Sequence, residues 1–300
     1  MNSVRNLESA ESSFWVHAEA PDDHEIDVLC SEYGLAERFV HDALDRDEIP
    51  RVETVGDFTY IITRFAYETD AGDIETAPIL FALNQAKLLT VSLEKLPSLQ
   101  EILAERNLEQ NSADPVYIML LVLLHIDAQY DRFIHDSSKQ IHRLLSNIGK
   151  RALGPDSFVR FVHIEDDMND FLSSLGPTNT TLRHLLTNKD IPSFSHHRDL
   201  VNTVILNNEQ SIQTCESNLK SLVSIRRTYT LISSHSLDRT IKILTMVSVF
   251  ISIPTMFFSM YGMNIGLPHA QNPKTFLGLL VICLITVLTA YVIGRKKRIF

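Results

Sequence analysis

Two stretches decide the class of this protein: Ile243–Tyr261, ILTMVSVFISIPTMFFSMY, and Thr275–Gly294, TFLGLLVICLITVLTAYVIG. Neither carries a charged side chain, and each is long enough to cross a hydrocarbon core of roughly 30 Å as a helix. A backbone inside lipid must satisfy its own polar groups, so both read as helices, and the short connection between them leaves room only for a tight external turn. The first span is expected at 243–263, the loop at 264–274, the second span at 275–294 and a basic tail at 295–300.

Orientation follows from the flanking charges. Arg239 and Lys242 precede the first span, Arg295, Lys296, Lys297 and Arg298 follow the second, and the connection holds only Lys274. The positive-inside rule then puts both termini in the cytoplasm of a multi-pass protein of the cell membrane. The polar start MNSVRNLESAESS has no apolar core, so the residues before the spans are expected to stay on the side of synthesis. Net charge is −10, which argues against nucleic acid as a partner and raises the local concentration of cations, although an acidic surface also serves solubility. Cys30, Cys215 and Cys283 lie far apart without metal or redox spacing and read as packing residues.

Working toward the N-terminus, residues 1–113 read as an α/β domain. Phe14 to His17, Phe58 to Tyr67, Ile79 to Leu83 and Leu88 to Leu93 are β-rich runs. Asp23 to Tyr33 and Ala36 to Leu44 read as short helices, and turns are expected at Asp70 to Asp73 and Asn84 to Lys87. Residues 114–192 read as helical, starting at Pro115 with Asp114 as cap. The apolar run Val116 to Leu124 is too short to span and is expected in the core. A second helix, Asp156 to Leu175, is expected to stop at Gly176 and Pro177.

From Ser193 to Ile253 there is neither glycine nor proline, so a stalk helix over 193–242 is expected to continue unbroken into the first span, over a length on the order of 90 Å. A helix this long must pack on neighbours, which argues for a stalk in an oligomer. Its heptad frame holds Val201, Val204, Leu222, Ile225, Tyr229 and Ile232, but also Asn208, Ser211 and Asn218, so a partly wet bundle is expected.

Within the first span, Thr245, Ser248, Ser252, Thr255 and Ser259 recur at spacings of three and four, continuing back to Asp238 and Ile241 and forward to Gly262. All fall on one helical face. Around a symmetry axis such a stripe would line a narrow polar pore ending at a ring of Asp238. Small residues also serve helix packing, and hydroxyls bond their own backbone carbonyls, so both readings stand. The span ends in Tyr261-Gly262-Met263-Asn264. Glycine suits a left-handed helix cap; equally, a broken helix end with the Asn264 amide oxygen builds a ring of neutral oxygens, which would hold Mg²⁺ through the waters it sheds reluctantly.

Gly-Met-Asn between two C-terminal spans, followed by a basic tail, resembles the signature of the CorA magnesium transporters. The resemblance extends over Trp15 with Pro21, Asp42-Ala43-Leu44-Asp45, Pro50-Arg51-Val52-Glu53 before Tyr60-Ile61-Ile62, Lys242-Ile243-Leu244-Thr245, and Ile253-Pro254-Thr255. It implies a funnel-shaped homopentamer that conducts hydrated Mg²⁺, with Co²⁺ or Ni²⁺ as further substrates and no bound cofactor. Tyr261, Gly262, Met263 and Asn264 would form the selectivity mouth and Thr255 a deeper polar ring. Ile241 and Leu244 would form the apolar gate, and Asp238 the cytoplasmic end of the pore. Two departures matter. The loop from Ile265 to Phe276 has no acidic residue, whereas many members carry carboxylates there. Members also sense intracellular Mg²⁺ through acidic pairs, for which Asp199 is the candidate here, against a solvated surface charge.

Three rivals are set beside this reading: the zinc-transporting branch of the same superfamily, a membrane-anchored scaffold, and an enzyme. The last is disfavoured by the lack of a Gly-rich phosphate loop, a Gly-x-Ser-x-Gly and a paired metal motif. His196 and His197 are adjacent and point to different sides of a helix, which does not suit a metal pair.

Overall fold

The computed structural model describes residues 4–6, 15–96, 114–147, 155–187, 192–263 and 273–296. The chain divides into two compact units, residues 1–225 and 226–300. The first opens with β1 (Val4–Asn6), β2 (Trp15–Glu19), α1 (Asp23–Ser31), α2 (Glu37–Asp42), β3 (Arg51–Val55), β4 (Phe58–Glu68), β5 (Ile74–Leu83) and β6 (Leu88–Ser92). Helices α3 (Pro115–Asn147), α4 (Pro155–Thr187), α5 (Pro192–His196), α6 (Arg198–Tyr261) and α7 (Pro273–Lys296) follow.

The sheet order is β1-β2-β6-β5-β4-β3, antiparallel except for the β2–β6 pair. Alternation along the strands sends Val16, Ala18, Tyr60, Ile62, Leu80, Leu89 and Val91 to the face that packs with Leu29 of α1 and Phe39 of α2. Register aligns these into rows, Ile62 beside Leu80 and Leu80 beside Val91. Phe39 stacks on Tyr60 at 4.0 Å, and the Tyr60 hydroxyl accepts the backbone N–H of Ala36. Each such buried side chain contributes about 1.5–3 kcal/mol. The opposite face is covered by α3 and α4, where Tyr130 meets Phe171 edge-on at 5.3 Å and donates to the Arg64 carbonyl.

Three elements differ from the sequence expectation. Strand β3 carries Arg51 and Glu53, which hide its strand character; Arg51 is held by Asp42, Glu48 and Glu53, and Arg38 reaches Glu53 at 2.6 Å. Strand β5 begins at Ile74 and passes through Pro78. Pro78 pairs with Arg64 of β4 and lies just outside the ladder with β6, which runs from Ile79 onward, at the margin of the sheet where proline is tolerated. Strand β1 likewise went unforeseen.

Helix α4 runs through Gly176 and Pro177 to Thr187, so the expected stop at these residues is corrected. A proline inside a helix costs about 3 kcal/mol. Burial outweighs it: Phe171, Ser174, Leu175, Thr178 and Leu182 are all buried, and the Thr178 hydroxyl donates to the Ser174 carbonyl at 2.8 Å. The expected uninterrupted stalk helix from Ser193 is also corrected. A turn at His197 separates α5 from α6 without glycine or proline. His197 accepts the Val201 N–H on its carbonyl while its ring Nε2 lies 2.7 Å from Asp114, and Phe194 is buried, so tertiary contacts bend the chain there. Asp114 itself caps α3 through the Val116 N–H, as expected. Pro115 to Leu123 are buried on every side, which makes this run a core helix.

Within the first unit, the heptad face of α6 is buried from Val201 to Ile225, including Asn208, Ser211, Cys215 and Asn218. Its cover is the chain's own α3 and α4: Asn218 donates to Ser138 at 2.8 Å and to the Met168 sulfur at 3.8 Å, while Glu209 holds Arg183. This part of the stalk is therefore packed inside one chain, and the argument that it needs an oligomer fails for it. Further along the frame the cover ends, and Ile232 is 42% exposed. In the second unit, α7 contacts α6 through Phe276 and Phe258, with ring centroids 6.3 Å apart.

Candidate ion pathway

Helix α6 (Arg198–Tyr261) and residues Lys274–Val292 of α7 are long and apolar enough to cross a membrane. Ile243, Leu244, Ile251 and Met256 of α6 and Leu277, Ile285 and Leu288 of α7 are exposed in the single chain, which is what a lipid or protein environment would cover. Pro254 lies inside α6 without ending it. Neighbouring polar groups offset such an interruption.

The polar stripe is borne on this helix. Thr245 donates to the Ile241 carbonyl at 2.8 Å, Ser252 to Ser248 at 2.7 Å and Thr255 to Ile251 at 2.7 Å. A hydroxyl whose proton is committed to its own helix presents only lone pairs outward. The stripe is thus a column of acceptors, the polarity that meets the outward-pointing hydrogens of water bound to a cation. Ile241, one turn below Thr245, and Leu244, the residue before it, are exposed at 52% and 65%, and Asp238 is exposed one step further.

At the far end, the Gly262 N–H donates to the Phe258 carbonyl at 3.0 Å and the Ser259 carbonyl at 3.2 Å, and the Met263 N–H points to Met260. Left-handed φ occurs, among the described residues, at Ala20, Gly34, Gly56 and Gly72. Gly262 is not among them, so the expectation of a left-handed cap is corrected: the chain continues the right-handed turn through this residue. Helix α6 ends at Tyr261, and Gly262 and Met263 follow it as a turn, while Asn264, the rest of the loop to 272 and the tail from 297 lie outside the described residues.

The other candidates separate. Asp199 is exposed in the first turn of α6, where a carboxylate favours the helix N-terminus, and its carbonyl accepts the Thr203 hydroxyl. His197 is held by Asp114 and lies beside Tyr117, while His196 is exposed, so the two do not share a site. Among the described residues no three His, Cys, Asp or Glu side chains converge as metal ligands. One electrostatic feature was missed: Asp167 of α4 has its carboxyl pushed up to about 6, first by burial and then by Asp170, Asp166 and Asp73, with His163 opposing. Sequence showed these acids together on one helix but not that Asp73 of the β4–β5 turn faces them.

The model of the CorA-like Mg²⁺ transporter family matches residues 10–297. The chain belongs to this family. Its members are transporters and not enzymes, and the two apolar helices place the chain among membrane proteins. The chain is 23% identical over 298 residues to the cobalt/magnesium transport protein CorA of Methanocaldococcus jannaschii, covering 94% of this chain and 90% of the relative. The complete structure of that archaeal CorA superposes with a TM-score of 0.83 at 21% identity, again over 94% and 90% of the two chains. Full-length CmaX matches with a TM-score of 0.76 at 15% identity over 94% of this chain and 88% of that one. The cytoplasmic domain of ZntB from Vibrio parahaemolyticus matches with a TM-score of 0.63 at 12% identity, over 78% of this CorA-like chain and all of that domain. These likenesses establish the shared fold: an α/β domain, a long helix and a second C-terminal apolar helix.

Proposed function

We propose that this CorA-like protein is a channel that conducts hydrated Mg²⁺ down its electrochemical gradient into the cytoplasm, and that Co²⁺ and Ni²⁺ pass by the same route. The observation that carries this reading is the acceptor stripe of Thr245, Ser252 and Thr255, whose hydroxyl protons are bonded within α6. Mg²⁺ dehydrates reluctantly, so a path for it must receive an ion wrapped in water, and outward lone pairs do so without adding charge. A homopentamer with α6 around the axis would repeat that stripe into rings, with Ser248 and Ser259 on the same face. Gly262, Met263 and Asn264 would form the outer mouth, with Asn264 touching the ion through its hydration shell. Ile241 and Leu244 would make the dry gate, and Asp238 would end the path in the cytoplasm, where both termini lie. Asp199, the candidate for Mg²⁺-dependent regulation, is weighed against a solvated surface charge, which its exposed place in the first turn of α6 favours.

The loop 265–276, without a carboxylate, favours a second reading in which the ion is Zn²⁺. Reconstituted liposomes loaded with a cation-sensitive dye test both. Mg²⁺ influx competed by Co²⁺ and Ni²⁺ supports the first. Zn²⁺ influx without Mg²⁺ influx overturns it, and a monomer by mass in mild detergent removes the pore.

A further inference from the structure

In the first third of the buried part of α6, the three helices α3, α4 and α6 bring unpartnered polar atoms to one level. Asp127 of α3 is 6% exposed and Asn208 of α6 is 1% exposed. Asp127 Oδ2, both amide atoms of Asn208 and Asn179 Oδ1 of α4 are buried with no hydrogen-bond partner. Their level follows from their neighbours on α6. Asn207 bonds to Asp127, and Glu209 receives the Asn179 amide at 3.4 Å, so Asn208 lies between a residue that faces α3 and one that faces α4. Three consecutive residues span only about 3 Å of helix.

An orphaned polar atom in a helix bundle is costly, and a carboxylate without a counter-charge costs more. Asp127 has no ion-pair partner among the described residues, and burial holds its carboxyl well above the usual carboxylate range, opposed only by Asn207. Three of the four orphans are oxygens, Asp127 Oδ2, Asn179 Oδ1 and Asn208 Oδ1, which is the donor set of a hard cation, and the fourth is the Asn208 amide N–H. A single carboxylate is neutralised by one positive charge, whereas a divalent ion would leave a net charge enclosed by α3, α4 and α6. The Asn208 amide N–H then donates to a water on the ion.

We infer that Asp127, Asn179 and Asn208 form a binding site for a monovalent alkali cation inside the three-helix bundle. Its role is structural: it holds α6 against α3 and α4. The inference does not depend on which ion the channel conducts.

The full-length protein in detergent, crystallised in Rb⁺ with Mg²⁺ removed, tests this by anomalous scattering at the rubidium edge. A peak coordinated by Asp127 and Asn208 supports the site; water alone at that level, or a peak only elsewhere, overturns it. A second measurement avoids dependence on crystals. The thermal midpoint of the full chain is followed in RbCl against choline chloride of equal ionic strength. Each tenfold excess of Rb⁺ over its Kd raises the midpoint by about 3–6 °C. Asp127→Asn, which keeps the shape and removes the charge, abolishes that rise. A midpoint that ignores Rb⁺ in the parent, or a rise that persists in the variant, refutes the assignment.

Discussion

Replacing Thr255 by Val keeps the branched shape of the side chain and removes one oxygen from the stripe. In the folded chain that oxygen makes a single internal bond, to the Ile251 carbonyl at 2.7 Å. Such a bond back to the preceding turn supports a helix little, so the variant should fold and assemble with a change in stability within about 0.5 kcal/mol. The effect on the ion is larger. Each lost acceptor removes about 0.5–1.5 kcal/mol, so with two acceptors engaging one hydrated ion the loss is about 1–3 kcal/mol, or roughly 5- to 150-fold in occupancy. The assay is Mg²⁺ influx into liposomes as a function of external Mg²⁺, with oligomer mass checked before reconstitution. The half-saturating concentration should rise by that factor. An assembled Thr255→Val protein with the parent's concentration dependence would show that the stripe packs helices and does not face the ion.

Asp238→Ala should weaken cation occupancy at the cytoplasmic end and alter conductance, because a ring of carboxylates gains from a bound cation; unchanged flux and ion competition would take Asp238 off the path. Asn264→Ala should abolish most Mg²⁺ influx while leaving assembly intact, with a stability cost under about 1 kcal/mol; normal influx would reduce the motif to a chain turn. Asp167→Asn should stabilise the protein against heat as pH rises. The raised carboxyl, about 6 against an ordinary 3.8, favours folding below that ordinary value and loses this as pH climbs through about 6. The variant's midpoint should therefore exceed the parent's at pH 7 and match it at pH 3.5; an equal gap at both would show that charge is not the cause.

The membrane class was legible in Ile243–Tyr261 and Thr275–Gly294 because length and lack of charge are local properties, and lipid acts on them residue by residue. The stripe was legible for the same reason: helical periodicity alone puts Thr245, Ser252 and Thr255 on one face. So were the Asp114 cap and the core character of Val116 to Leu123. What the hydroxyls do with their protons needed the helix itself, and their use in transport needs measurement. Other features depended on contacts between distant residues. Gly176 and Pro177 read as a stop until the sheet and α6 were packed on α4, where burial outweighs the proline penalty. The bend at His197 comes from Asp114, 83 positions away, and no local pattern encodes it. The heptad of α6 announced a buried face but not its cover, since the same pattern serves a neighbouring chain or the chain's own α3 and α4. Asp127 looked like any polar residue after an apolar run; only the meeting of three helices makes it a buried carboxyl with an unpartnered oxygen.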